Sequence, residues 1–148
     1  MERMPPAVAL ALLLSQHLSA GPQHFTLTAA FEPPGKAGEE AAVAVTFSGT
    51  DPLIHINEEP SPRLKLDPLQ TVLVDKQAPP SGKGPDFDPE KARTLDLTKP
   101  VRFPVAISPS APKGPQSVKA TVIYFYCSKR EGWCRRGSIE VEVPLTVR

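Results

Sequence analysis

At 148 residues the chain has room for a single hydrophobic core. Lys plus Arg total 17 against 16 Asp plus Glu, so no long-range field draws the molecule to nucleic acid or to an acidic membrane face. The 19 prolines interrupt helices but are tolerated at strand edges and in turns, which tilts the expectation toward β structure.

Residues 1–20 read as a secretory leader. Arg3 is followed by the apolar run Ala7 to Leu14 and then by Leu18-Ser19-Ala20, with cleavage expected after Ala20. Glu2 offsets Arg3, so an unprocessed or anchored N-terminus is the competing reading. The run falls short of the roughly 20 apolar residues of a membrane span, and nothing later approaches that length. Gly21 stands where a lipoprotein would carry cysteine. The expectation is a domain over residues 21–148 without stable membrane insertion, located in the periplasm or secreted.

Beyond the leader, apolar residues recur with period two, the mark of strands with one buried face. Phe25, Leu27, Ala29 and Phe31 define the first strand, ended by Glu32-Pro33-Pro34-Gly35. Ala41 to Phe47 is the second, with Val43, Val45 and Phe47 on one face. Leu53 to Asn57 and Leu64 to Leu66 are short extended pieces around an irregular edge containing Pro60 and Pro62. Thr71 to Val74 is a further short strand, and Ala78 to Glu90, rich in proline and glycine, is the longest loop.

Leu95 to Leu97 and Val101 to Ile107 resume the alternation, and a turn over Pro109 to Pro115 leads into the strongest hairpin. Val118, Ala120, Val122, Tyr124 and Tyr126 line one face of its first arm; Ile139, Val141, Val143, Leu145 and Val147 line one face of its second. The first arm also carries Ile123 and Phe125 on its other face, which places it inside a sheet. The whole reads as an all-β, immunoglobulin-like antiparallel β-sandwich of about seven to nine strands.

Between the hairpin arms lie the two cysteines, Cys127 and Cys134. Antiparallel arms bring residues flanking their connection within disulfide reach, and in an exported protein the oxidised pair is the default chemistry. Two roles stay open. As a structural staple, so short a loop contributes about 2–3 kcal/mol. As a redox pair, the cysteines have Lys129, Arg130, Arg135 and Arg136 nearby to favour a thiolate, although charged hairpin tips are also common simply because they are wet. Trp133 either shields the sulfur, docks a partner, or packs over the hairpin end.

The segment Tyr124-Phe125-Tyr126-Cys127, a polar loop, Cys134 and the alternating strand Ile139 to Val147 resembles the N-terminal periplasmic domain of the thiol:disulfide interchange protein DsbD family. In cysteine spacing it looks even closer to the C-terminal β domain attached to thioredoxin-like NHL-repeat proteins. Ile54-His55-Ile56-Asn57-Glu58-Glu59-Pro60 followed by Leu64-Lys65-Leu66 looks like the stretch preceding a short strand in such domains. The resemblance implies an immunoglobulin-like fold in which Cys127 and Cys134 relay electrons between a thioredoxin-like oxidoreductase, or a membrane electron-carrier protein, and other exported proteins. It also implies that Asp86-Phe87-Asp88 forms a cap whose ring, Phe87, covers the disulfide. The cysteine loop is one residue longer here than in DsbD. The alternative function is a non-catalytic immunoglobulin-like binding domain with a structural disulfide.

Other chemistry is disfavoured. His17 lies in the leader, leaving His24 and His55, too few for a zinc set, and His55 reads as a packed or solvent-facing strand residue. Glu58 and Glu59 are sequence neighbours that point to opposite faces of an extended chain, so they form no acid–base pair. No phosphate cradle, nucleophile elbow or metal-binding cysteine pair occurs, so neither cofactor nor metal is expected, nor hydrolase or nucleotide-dependent activity.

Overall fold

The computed structural model describes residues 24–32, 35–79 and 88–148. The expected leader and the expected cap residue Phe87 both lie outside these residues. The described chain forms eight strands and no helix. They are β1 (Phe25–Glu32), β2 (Glu40–Gly49), β3 (Ile54–Ile56), β4 (Arg63–Leu66), β5 (Leu73–Asp75), β6 (Val101–Ile107), β7 (Gly114–Ser128) and β8 (Trp133–Val147). One antiparallel sheet has the order β1-β2-β6-β5; in the other, β7 is central, with β8 along one side and β3 and β4 in succession along the other. This is the all-β sandwich that the alternation implied.

Alternation decides what each strand buries. Val43, Val45 and Phe47 of β2 and Phe103, Val105 and Ile107 of β6 meet Val118, Ala120, Val122 and Tyr124 of β7 in the core, with Val143, Leu145 and Val147 from β8. Leu64 from β4 and Ile54 and Ile56 from β3 close the same interior. Pro104 sits within β6 opposite Ala42; its carbonyl accepts from Lys76 N at 3.1 Å, beyond the last paired residue of β5, so its missing N–H falls where that ladder ends.

Three sequence expectations are corrected. The strand expected at Thr71 begins instead at Leu73, because the Gln70 side chain binds Val72 N, Leu73 N and Leu73 O and ties the preceding residues into a turn. Leu95 to Leu97 is no strand; the chain makes a single bridge between Thr94 and Asn57, and then Asp96 accepts from Thr98 N and Oγ1 and turns it away. The same two bonds hold the exposed Asp96 carboxyl below its ordinary value. The turn expected through Pro115 ends earlier, since Gly114 already pairs with Val147.

Tyr124 and Gly137 are directly opposite in the β7–β8 ladder. A Cβ at Gly137 would lie 2.5 Å from Tyr124 Cζ, so the glycine leaves the space over which the ring lies. The ring packs edge-on against Phe25 and Phe47, at centroid distances of 5.7 and 5.5 Å. Burial pushes the Tyr124 phenol above the ordinary tyrosine value, and Tyr126 beside it adds to the shift. A raised folded-state pKa favours the neutral phenol, so its stabilisation is complete below about pH 10 and lost as pH rises through the folded value. Urea midpoints measured across that range are expected to fall more steeply in the wild type than in Tyr124→Phe.

Candidate functional site

The end of the β7–β8 hairpin is built by local chemistry. Ser128 and Trp133 are the last register pair, and Lys129 to Gly132 connect them. Gly132 has φ of 72°, a left-handed conformation that glycine adopts without steric cost. Its N–H donates to Ser128 O at 2.9 Å, while the buried Ser128 Oγ accepts from Glu131 N at 3.1 Å. Arg130 Nη2 reaches Asp51 Oδ2 at 3.1 Å, fastening the tip to the β2–β3 connection. Both partners are partly exposed, so the pair orients the tip more than it stabilises the fold.

The next register pair is Cys127 opposite Cys134, and the two form a disulfide with a Cα–Cα distance of 4.0 Å. Directly opposed residues share a face. Core-facing positions of β7 are Val118 through Tyr126 in steps of two, so Cys127 belongs to the other side, turned away from the core. The disulfide is nevertheless unevenly exposed. Cys127 is 2% exposed, whereas Cys134, on the outermost strand of its sheet, is half-buried.

What flanks Cys127 comes from strand β3. His55, half-buried, is its direct register partner, which gives the face a row of His55, Cys127 and Cys134. Asn57, two residues on and 1% exposed, places Oδ1 3.2 Å from Cys127 Sγ. Its backbone is fixed on both sides: Asn57 N donates to Phe125 O at 2.7 Å, and the bridge to Thr94 is flanked by Glu58 N to Arg93 O and Leu95 N to Ile56 O. Asn57 and Ser128 are the two buried polar residues among those described, and both stand at the disulfide end.

Trp133 neighbours Cys134 in sequence but has the opposite strand parity. Its ring lies edge-on to Tyr126 at 5.7 Å and tilted to His24 at 5.7 Å, its Nε1–H donates to Glu131 Oε2 at 2.7 Å, and the Arg135 guanidinium sits 4.1 Å from the ring centroid. Arg136 shares parity with Cys134 and is opposite Phe125. Beyond it the same face hollows into an open depression of about 710 Å³, bordered by Lys65, Thr121, Ile123, Ser138 and Glu140.

Sequence reasoning found both cysteines and missed the two β3 residues beside them. The sequence places Asn57 at the end of an extended piece and gives His55 as a packed or solvent-facing strand residue, and neither reading puts it beside a cysteine. Among the described residues no cluster of His, Cys, Asp and Glu is able to hold a metal ion, and no helix is long and apolar enough to cross a membrane. No family model, curated protein or solved structure matches this chain.

Proposed function

We propose that this chain is an exported thiol–disulfide exchange module of DsbD N-terminal-domain type, with Cys127 and Cys134 as its redox pair. The observation that carries this reading is the asymmetry of the bridge: one cysteine is covered and the other only half-buried, on an outer strand. Exchange proceeds by in-line attack of a thiolate and depends on access to the sulfur attacked. Cys134 is therefore the entry point.

A thiolate of a thioredoxin-like dithiol protein attacks Cys134 Sγ. The Cys127–Cys134 bond breaks, a partner–Cys134 mixed disulfide forms, and Cys127 leaves as a thiolate that takes a proton from water. The partner's second thiolate then attacks its own sulfur in that mixed disulfide, releasing Cys134. Two electrons and two protons have passed to this chain, and the partner is left oxidised. The dithiol then passes the electrons to the disulfide of another exported protein by the reverse chemistry. Exposed Arg136, on the same strand face as Cys134, favours its thiolate.

The competing reading is an immunoglobulin-like binding domain in which the bridge only fixes the hairpin, and the burial of Cys127 favours it. The test is a thioredoxin variant lacking its resolving cysteine, mixed with the oxidised wild-type chain. A stable conjugate mapping to Cys134 by peptide mass is expected. No conjugate, or one mapping to Cys127, contradicts the proposal.

A further inference from the structure

We infer that Asn57 is a positioning residue for exchange: in the reduced protein its Oδ1 accepts a hydrogen bond from the Cys127 thiol. The inference rests on the exchange reading for its purpose, but its chemistry is independent of any partner.

In the disulfide, Cys127 Sγ carries no hydrogen, so its 3.2 Å approach to Asn57 Oδ1 is a contact without a donor. Reduction by a dithiol changes that. The S–S bond takes two electrons, each sulfur ends with a proton, and the donated hydrogen at Cys127 has an amide oxygen already within reach. The covered position of both groups, at 2% and 1% exposure, limits water as a competing acceptor. The Asn57 backbone, bonded to Phe125 on one side and bridged to Thr94 on the other, holds the oxygen in place before and after the bond opens.

The backbone bonds of Asn57 involve neither sulfur and cancel in the ratio of dithiol to disulfide. The bond to the thiol exists in one state alone and does not cancel. Asn57 thus favours the dithiol, making the bridge easier to reduce. It also favours the Cys127 thiol over its thiolate, so that Cys134 remains the reactive sulfur of the reduced pair.

Two measurements test this. Equilibrating the wild-type and Asn57→Leu chains in dithiothreitol redox buffers is expected to show the reduction equilibrium about fivefold less favourable in the variant, the size of one lost hydrogen bond and about 20 mV for a two-electron couple. An unchanged equilibrium overturns the inference. The second measurement does not depend on that variant folding: in reduced Cys134→Ala, whose lone thiol is Cys127, the infrared S–H stretch is expected below the frequency of a thiol in water. A stretch at the unbonded frequency overturns the inference. Neither readout involves a thioredoxin-like partner, so failure here leaves the trapping experiment standing, and the reverse holds equally.

Discussion

A chain carrying Cys127→Ala and Cys134→Ala is expected to stay folded while losing about 2–3 kcal/mol of stability, measured by urea denaturation against the oxidised wild type. The bridge closes a loop with a sequence separation of 7, and a cross-link of that span restricts the unfolded chain by about this amount. It does not create the hairpin. Pairing of β7 with β8 continues from Tyr126 and Arg135 down to Gly114 and Val147, and Val118, Val122, Val143 and Leu145 bury the inner face of that ladder. Gly132 and Ser128 shape the tip without help from sulfur. Survival of the fold with the bridge open is also what exchange demands, since the dithiol is one of its working states. Collapse of the double variant would show that the bridge is needed for folding and would remove the reduced state from the mechanism.

The second large effect is expected at Gly137. Changing it to valine is expected to cost about 2–3 kcal/mol, in the upper part of the range for overpacking, and to shift the near-ultraviolet circular dichroism of the tyrosines. An added Cβ meets Tyr124 Cζ at 2.5 Å and its Cε2 and Oη at 2.8 Å, distances no real contact sustains. The ring cannot simply swing aside, because Phe25 and Phe47 pack edge-on against it and Tyr126 is tilted to it at 5.5 Å. Tyr126 in turn carries Trp133 and His24, so the disturbance reaches the hairpin end. Tyr124→Leu on the Gly137→Val background is expected to recover part of the loss, which a purely local backbone effect would not allow.

The parts of the fold that could be read from the sequence are those where local pattern carries the information. The long alternation of Val118 to Tyr126 and of Ile139 to Val147 leaves one pairing that buries both apolar faces, so the hairpin followed from it, and with it the meeting of the two cysteines. Strand β3 is different. With three residues it offers too little alternation to set a register, and its partner lies about 70 residues away, so nothing local says that His55 faces Cys127 or that Asn57 reaches its sulfur. Asn57 looked like the polar end of an extended piece because its burial comes from a long-range bridge to Thr94. The strand expected at Leu95 failed for a related reason: apolar spacing was present, but the Asp96–Thr98 turn, a side-chain effect, overrode it.

The proposed exchange requires the Cys127–Cys134 bridge to open and close in use. Its reduction potential, measured by equilibrating the wild-type chain in dithiol buffers of graded ratio and counting thiols by mass after alkylation, tests this most directly. A midpoint more oxidising than about −300 mV is predicted, within the range of exchanged pairs; a value well below it would mark the bridge as a permanent structural bond.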